Sequence, residues 1–354
     1  MKVGIAFDLA PIDPAPRGDG PDDRFEEFDK PETVEAIAEV LRGEGHKVTL
    51  LGDGREFLTR ILAEPPDFVF NLAEGEGVGR CRESRVPAAL EMLNIPYSGS
   101  DPLTLAASLD KVMAKRLVRS GSDVRCPRGW TLPGGPGEGG VAILRVLFDE
   151  SDPVGRRDGS GPMPPLLLKP AFEGSSKGIR NRCLAADLDE ALAVYSDLAR
   201  DYAQPILAEE FIEGDEVTVG LLGNDPRGGN AYVLGAMRIL PRTADPRFVY
   251  SLEVKRDWKN RVDYEAPADL PDPVLAALTL AALDASTALG CRDLARIDFR
   301  VRDGVPYFIE ANPLPGLAPV TSDLVILAEG HGVSHAELIR KAFHAALARV
   351  GLSP

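Results

Sequence analysis

The chain is poor in the residues that usually build metal centres and covalent cross-links. It has four cysteines and four histidines in 354 residues, and 6% of its residues are aromatic. The cysteines are far apart, no pair has metal-ligand spacing, and four are too few for a disulfide framework in a chain of this length. We therefore expect reduced thiols and a reducing compartment. The four positions are Cys81, Cys126, Cys183 and Cys291.

Basic residues are also in deficit, with 40 Lys and Arg against 55 Asp and Glu and a net charge of −15. Such a surface repels phosphate backbones, which argues against nucleic acid and anionic membranes as partners. A small anionic ligand in a local basic pocket stays compatible with this charge. No apolar run reaches the ~18 residues of a membrane helix. The N-terminus, MKVGIAFDLAP, is too short and too soon acidic for a signal peptide, and we expect a cytoplasmic protein.

What remains is an ordinary globular composition, with 44% hydrophobic and 27% charged residues. The length predicts two or three domains. In the first hundred residues, strands at Val3–Phe7, Val48–Leu51 and Phe68–Leu72 alternate with amphipathic helices, one of them starting at Pro31. This order predicts an α/β domain with a parallel sheet over residues 1–105.

The rest of the chain predicts two α+β units, over residues 106–205 and 206–354. A helix is expected at Asp101–Ser120, followed by Gly/Pro-rich loops at Pro133–Gly140 and Gly155–Pro165. The further predicted strands are Leu166–Lys169, Ile206–Ile212, Val217–Leu222 and Tyr232–Ile239, and the further helices are Asp187–Ala199, Pro271–Leu289 and His335–Val350.

The segment 295–316, ARIDFRVRDGVPYFIEANPLPG, is the most informative about chemistry. Its alternating pattern and Asp303-Gly304 turn predict a hairpin that brings Asp298 opposite Glu310. Phe308, Glu310 and Asn312 are expected on one face of the return strand. Two carboxylates and an amide offer hard oxygen ligands, which suit Mg²⁺ with a phosphate substrate. The alternative is a solvated face neutralised by Arg296 and Arg300.

Three other segments could bind a nucleotide. In LLLKPAFEGSSKG, a buried strand delivers Lys169 before a Gly/Ser loop at 174–178 whose amides could wrap phosphate oxygens, the alternative being a flexible surface loop. In ILAEEFIEGDE, Glu209 and Glu210 end an apolar strand and could bind a nucleoside, the alternative being a solvated turn. Lys111 lies on an amphipathic helix, where a lone lysine is usually solvated.

Taken in order, the segments resemble the ATP-grasp fold and specifically the D-alanine–D-alanine ligase family. The similarity runs from about Phe68 to Leu317. It rests on VFNLAEGEG, IPYSGSDPLTLAASLDK, LLLKPAFEGSSKGI, ILAEEFIEGDEVTVGLLG and ARIDFRV followed by YFIEANPLPGL. The resemblance implies an N-terminal parallel-sheet domain followed by two α+β domains that clasp ATP.

The resemblance implies a role for each matching residue. Phosphate-binding lysines correspond to Lys111 and Lys169, with Lys255 on a flexible loop over the γ-phosphate. The other implied nucleotide residues are Ser175 and Ser176 in the phosphate loop, Glu209 and Glu216 at adenine and ribose, and Phe211 and Ile212 around the base. The implied ligands of two Mg²⁺ ions, for which Mn²⁺ could substitute, are Asp298, Glu310 and Asn312. Arg296 and the Gly316 amide correspond to the groups that steady the oxyanion.

The implied reaction is attack of a carboxylate on the γ-phosphate of ATP, followed by attack of an amine on the acyl phosphate. The products are an amide, ADP and phosphate, and the family places this chemistry in peptidoglycan and cell-wall synthesis. Amino acids are the implied partners, and a homodimer is common in the family.

The sequence departs from the family pattern around the amino-acid substrates. Arg256 replaces the tyrosine that many members have after the loop lysine. The N-terminal Gly-Gly-x-Ser-x-Glu segment is missing, and Glu26 stands roughly where the ammonium of the first substrate is bound. The serine for the second substrate falls near Thr321 or Ser322. Further candidates for the altered pocket are Glu74, Arg82 and Glu83.

Three functions stay open at this stage. The first is synthesis of D-alanyl-D-alanine. The second is ligation of other amino acids or small carboxylates by the same chemistry, in peptide or secondary metabolism. The third is ATP binding without catalysis, against which the intact set of Lys169, Asp298, Glu310 and Asn312 argues.

Overall fold

A computed structural model describes residues 1–11, 20–135, 137–149, 165–224 and 231–353. The strands are β1 (Lys2–Ala6), β2 (Lys47–Gly52), β3 (Phe68–Asn71), β4 (Gly129–Leu132), β5 (Leu166–Pro170), β6 (Leu184–Ala185), β7 (Ile206–Glu210), β8 (Asp215–Gly223), β9 (Ala231–Pro241), β10 (Val262–Glu265), β11 (Leu294–Arg302) and β12 (Val305–Asn312). The helices are α1 (Pro31–Gly43), α2 (Gly54–Ala63), α3 (Arg85–Met92), α4 (Pro102–Leu109), α5 (Lys111–Gly121), α6 (Glu138–Phe148), α7 (Leu188–Tyr202), α8 (Leu252–Arg256), α9 (Trp258–Arg261), α10 (Asp272–Leu289), α11 (Asp323–Gly330) and α12 (His335–Arg349). The loop predicted at Gly155–Pro165 lies outside the described residues except at its last position.

The first strands form a parallel sheet in the order β2-β1-β3, as the alternating pattern predicts. Pro31 occupies the start of α1, where its missing N–H costs nothing. The apolar face of α1 is buried at Ile37 and Leu41. Because parallel strands end at the same edge, the loops that follow β1 and β3 lie side by side and bring Asp8 and Glu74 to one edge of the sheet.

The single helix predicted at Asp101–Ser120 is wrong, because the chain breaks at Asp110 into α4 and α5. The Asp110 carboxylate accepts hydrogen bonds from the amides of Val112 and Met113, both at 3.0 Å, and so caps α5. The cap makes Lys111 the first residue of α5, where it is only 5% exposed. Both helices pack on β12 and α10, so they belong with the large sheet rather than with the small central unit.

The small central unit is a four-stranded antiparallel sheet in the order β4-β7-β5-β6, covered by α6 and α7. The domain boundary predicted between residues 205 and 206 falls inside this sheet, because β7 pairs with both β4 and β5. The division between the two sheets lies between β7 and β8.

The large sheet is antiparallel in the order β10-β9-β8-β11-β12, and α10 packs on one of its faces. In α10, 18 residues have a mean hydropathy of 1.3, so one helix is apolar enough to cross a membrane by length and composition alone. The expectation that no segment reaches this length is therefore wrong. Buried residues such as Leu278, Ala282 and Leu289 form a face of α10 within the core of the large sheet. This one-sided burial, 33% of the helix, is that of a helix packed on a sheet through one face.

The N-terminal sheet is joined to the rest of the molecule by α12. The ring of Phe343 on α12 packs edge-on against Phe68 of β3, with 5.5 Å between ring centroids. Both rings are fully buried in a core that also includes residues of α1 and α11. The docking places the loops of the parallel sheet against the hairpin β11–β12.

Candidate active site

Two adjoining cavities carry most of the candidate residues. The first lies between the four-stranded and five-stranded sheets, and we call it the inter-sheet cavity. The second lies where the N-terminal domain meets the hairpin β11–β12, and we call it the acidic cavity. Arg296 and Glu310 line both cavities, so the two spaces meet at these side chains.

The inter-sheet cavity collects the predicted nucleotide residues on several strands and loops. It is lined by Lys169, Ser176, Glu209, Phe211, Ile212, Glu216, Lys255, Arg296, Asp298 and Glu310 of the predicted set. Lys111, Ser175, Asn312 and Gly316 line the acidic cavity instead, together with Glu74 and Glu83. The structure therefore brings the predicted nucleotide, metal and catalytic residues to two connected spaces.

Buried ion pairs organise the base of the inter-sheet cavity. Lys169, 1% exposed, places its Nζ 2.5 Å from Oε1 of Glu209, whose other oxygen lies 3.2 Å from Lys115 Nζ. Burial favours the protonated acid, but the charges of Lys115 and Lys169 hold the pKa of Glu209 below its usual value. Glu209 is 2% exposed, so the alternative of a solvated turn is wrong at this position.

The other end of the cavity holds an arginine that the sequence did not single out for binding. Arg300 is 2.7 Å from Glu216 and its guanidinium lies 4.9 Å from the centre of the Phe211 ring. It also donates to the carbonyl oxygen of Ile212 at 2.9 Å. Arg300 therefore fixes three of the predicted nucleotide residues. The only signal in the sequence was its place on the charged face of β11, two residues after Asp298.

The hairpin β11–β12 confirms that Asp298 pairs with Glu310 in the strand register. A bulge follows at Ile309, so that Phe308 pairs with Phe299 instead and turns into the core. The prediction that Phe308 shares a face with Glu310 is therefore wrong. The inserted residue keeps both carboxylates on the cavity side while the aromatic ring is buried.

The carboxylates of the hairpin have cationic and amide partners. Asp298 accepts from Arg296 Nη2 at 2.9 Å and from Asn312 Nδ2 at 3.0 Å. Glu310 lies 2.9 Å from Lys111 Nζ. Burial opposes ionisation of Glu310, but Lys111 and Lys169 hold its pKa well below the usual range. Lys111 is 5% exposed, so the interpretation of it as a solvated lysine is wrong. Arg296 neutralises Asp298 as the alternative for this face held, but it does so as a buried residue, 8% exposed.

Among the described residues, no group of three His, Cys, Asp or Glu side chains is arranged to hold a metal ion. The predicted metal ligands Asp298, Glu310 and Asn312 include only two carboxylates. They therefore do not form such a group of three by themselves. All its potential ligand oxygens are hard donors, and this donor chemistry fits Mg²⁺ that completes its shell with phosphate oxygens and water. It does not fit zinc, which prefers nitrogen and sulfur ligands.

The predicted phosphate loop is tied to the N-terminal domain. The amide of Gly174 donates to Glu27 Oε1 at 2.5 Å, and the amide of Gly178 donates to Asp23 Oδ2 at 2.9 Å. Ser175 and Ser176 have positive φ angles of 47° and 59°, which turn the loop sharply. At Gly178, with φ of +72°, a side chain would collide with Pro170 at 2.4 Å. The loop is therefore held between the inter-sheet cavity and residues 20–30.

Three predicted substrate residues lie outside the acidic cavity. Glu26 and Arg256 pair with each other at 2.8 Å on the surface, 30% and 39% exposed, and the cavity is lined instead by the neighbouring Glu27. The role predicted for Glu26 stays a prediction, but the structure does not place this residue in the cavity lining, and nothing in the sequence fixes the register of the segment. Ser322 accepts from the amide of Ala318 at 2.9 Å and supports the chain next to Gly316 without lining the cavity.

Lys255 lies on the short helix α8 above the inter-sheet cavity. Its Nζ is 3.9 Å from Asp323 Oδ2 and 4.9 Å from the centre of the Tyr250 ring. The Tyr250 hydroxyl also donates to Asp323 Oδ1 at 3.0 Å. Neither Tyr250 nor Asp323 was predicted, and no spacing rule points to them. Together they position the lysine over the cavity.

Two antiparallel sheets that close on a cavity with buried lysines define the class of the ATP-grasp proteins. The sequence model described as D-ala D-ala ligase C-terminus matches residues 162–343. A D-alanine–D-alanine ligase of Bordetella petrii is 33% identical over 309 residues, which cover 85% of this chain and 82% of the relative. Another, from Moorella thermoacetica, is 32% identical over 317 residues, covering 88% and 92%. This chain therefore belongs to the D-alanine–D-alanine ligase family and is an ATP-dependent ligase.

Solved structures support the same fold. The D-alanine–D-alanine ligase of Bacillus anthracis complexed with ATP superposes with a TM-score of 0.69 at 22% identity, over 99% of this chain and 98% of the other. A second structure of that ligase also gives 0.69, at 21% identity. At this identity the likeness concerns the fold, and the expected ATP-grasp architecture is confirmed.

Proposed function

We propose that this chain joins the carboxylate of one amino acid to the amine of another and converts ATP to ADP and phosphate. The observation that carries the proposal is that Arg296 and Glu310 line both cavities. A nucleotide in the inter-sheet cavity would present its terminal phosphate at this junction. An amino acid in the acidic cavity would present its carboxylate there, and proximity of the two groups favours attack on phosphorus and an acyl phosphate.

The lysines of the site bind the triphosphate in this proposal. Lys111 and Lys169 pair with Glu310 and Glu209 at 2.9 and 2.5 Å, and phosphate oxygens would exchange with these carboxylates as partners. Lys255, above the cavity, would reach the terminal phosphate. Three cations at the phosphates offset the charge that moves during phosphoryl transfer.

Two Mg²⁺ ions would be held by Asp298, Glu310 and Asn312, whose oxygen-only donor chemistry suits that ion. When bound, Mg²⁺ would neutralise phosphate charge in the transition state. Mn²⁺ has similar ligand preferences and could substitute.

The charged Arg296 would steady the carboxylate and the oxyanion that forms when the amine attacks. Burial disfavours its charged form, but Asp298 and Asp323 hold its pKa far above the ordinary value, so it keeps its proton throughout. The Gly316 amide would donate to the same oxyanion. Ser175 and the tied loop 174–178 would cover the acyl phosphate and exclude water.

The relatives are named for D-alanine, and we propose D-alanine as the reference substrate, with a cytoplasmic role in supplying cell-wall dipeptide and a homodimer as the assembly. The substrate side of the site nevertheless differs from the family pattern. The absence of the N-terminal Gly-Gly-x-Ser-x-Glu segment and the presence of Arg82 and Glu83 support the second possibility, ligation of other amino acids.

The test is phosphate release from Mg-ATP with single and paired D- and L-amino acids, with the mass of the product measured. Release that depends on amino acids, with a product of dipeptide mass, supports the ligase. Release with D-alanine alone identifies the reference substrate, whereas release with another pair identifies a ligase of another pathway. Tight ATP binding with no release for any pair contradicts the proposal and favours an ATP-binding protein without catalysis.

A further inference from the structure

The acidic cavity is rich in carboxylates. Five acids line it, and they come from the N-terminal domain, the phosphate loop and the hairpin. They are Glu27, Glu74, Glu83, Glu173 and Glu310.

Three of these acids have cationic partners within the protein. Glu27 lies 2.8 Å from Arg82 and 2.9 Å from Lys177, and Glu173 contacts the same two cations, with 3.4 Å to Arg82. Glu310 is paired with Lys111, as described above. These acids are thus neutralised without a ligand.

Glu74 and Glu83 differ from the other three. Within the part of the chain that the structure describes, neither side chain has a hydrogen-bond or ion-pair partner. Glu83 is only 7% exposed, yet it lines the cavity. Burial raises the pKa of Glu83 to about 8, and burial together with the charge of Glu83 raises that of Glu74 well above its usual value. Two neighbouring carboxyls without partners are unfavourable in the folded chain alone, and a cation would relieve both.

We propose that Glu83 and Glu74 bind the side-chain ammonium of a diamino acid, so that this ligase prefers a substrate with a second positive charge. The inference rests on the proposed function and specifies its substrate class. An amino acid with an uncharged side chain would bring no side-chain cation to this pair of acids. A side-chain ammonium near both acids would stabilise the charged form of each, and Arg296, which lines the same cavity, would bind the carboxylate.

The test compares two probes of nearly equal shape, 2,4-diaminobutyrate and norvaline, each as both enantiomers. Norvaline has a methyl group where diaminobutyrate has the side-chain ammonium. Binding to the full chain is measured by titration calorimetry with Mg²⁺ and a non-hydrolysable ATP analogue. We expect diaminobutyrate of one configuration to bind about tenfold or more tightly than norvaline, as a buried charge-assisted pair provides. Equal affinities, or tighter binding of norvaline, would overturn the proposal.

Substitutions assign the preference to these acids. In Glu83→Gln the affinity for diaminobutyrate should fall about tenfold while that for norvaline changes less than about threefold. Glu74→Gln is the second variant and should reduce the same preference. Glu76→Gln is the matched control, since Glu76 is an exposed acid of the same loop outside the cavity lining. An unchanged preference in both Glu83→Gln and Glu74→Gln would overturn the assignment.

The binding experiment also separates this inference from the ligase proposal. A preference for diaminobutyrate without phosphate release contradicts the proposed function and supports the cation site. Phosphate release with D-alanine and no preference for diaminobutyrate supports the ligase and contradicts the cation site.

Discussion

The two cavities of this ligase differ in how their charges are compensated. In the inter-sheet cavity, Lys169 and Glu209 form a buried pair and Arg300 neutralises Glu216. In the acidic cavity, Glu74 and Glu83 lack such partners within the described part of the chain. A balanced site suits a ligand that the whole family shares. In an unbalanced one, burial favours the protonated acids, and a cationic substrate would stabilise their charged form.

The largest effect is expected where the two cavities meet. Glu310→Gln keeps the shape of the side chain but removes the charge that faces Lys111 and the proposed metal ions. Phosphate release should fall by roughly 1,000-fold or more, with an unchanged circular dichroism spectrum. Glu329→Gln, at an exposed acid of α11, is the matched control. Wild-type turnover in Glu310→Gln would show that this residue takes no part in the chemistry. It would also contradict the view that the reaction takes place where the two cavities meet.

The next effect concerns the paired acids of the acidic cavity. Arg82→Met removes the fully buried cation that contacts both Glu27 and Glu173. Loss of one partner from a buried ion-pair network destabilises by about 3–5 kcal/mol. Urea unfolding measures this loss, with Arg85→Met on the exposed side of α3 as control. A variant as stable as the wild type would show that the cavity does not depend on paired charge.

Substitution of an unpaired acid is expected to change the stability of the folded chain less, and to raise it rather than lower it. Folding raises the pKa of Glu83 from 4.5 to about 8, so the folded chain binds more protons than the unfolded chain in this range. Glu83 therefore does not lower the free energy of unfolding below pH 4.5, but it lowers it progressively as the pH rises from 4.5 towards 8. Glu83→Gln should raise the melting temperature at pH 8.5 by roughly 3–8 °C and have little effect at pH 4. Destabilisation at pH 8.5 would mean that Glu83 has a structural partner.

The smallest effect belongs to the surface pairs beside the phosphate loop. Arg256 contacts Asp22 and Glu26 at 2.9 and 2.8 Å, and all three are substantially exposed. Each such pair contributes about 0.2–1 kcal/mol, so Arg256→Ala should raise the KM for ATP less than about fivefold and leave the amino-acid profile unchanged. Steady-state kinetics at low and high salt measure both quantities. A changed amino-acid preference would show that Arg256 contributes to the substrate site after all.

The sequence predicted the inter-sheet cavity better than the acidic cavity, for a physical reason. Strand residues such as Lys169, Glu209 and Asp298 alternate with apolar neighbours, and strand register fixes where they point. The acidic cavity is built from loops such as the segment 20–30, which have no periodicity, and there the structure places Glu27 rather than the predicted Glu26 in the lining. Pairings between distant segments, such as Glu27 with Arg82, could not be read from either segment alone.

Two errors in the fold prediction have local causes that a pattern does not reveal. The bulge at Ile309 reverses the face of Phe308, because one inserted residue shifts a period of two. The break at Asp110 interrupts an otherwise continuous helical pattern because the aspartate caps the next helix. Both irregularities bring a charged residue, Glu310 or Lys111, to the junction of the cavities.

The most direct test of the central claim follows an oxygen atom across that junction. The amino acid that supports turnover is labelled with ¹⁸O in its carboxylate, and the released phosphate is analysed by mass. Attack of the carboxylate on the γ-phosphate predicts that one ¹⁸O atom appears in the phosphate for each amide formed. Unlabelled phosphate alongside amide formation would contradict an acyl phosphate and, with it, the meeting of the two substrates at Arg296 and Glu310.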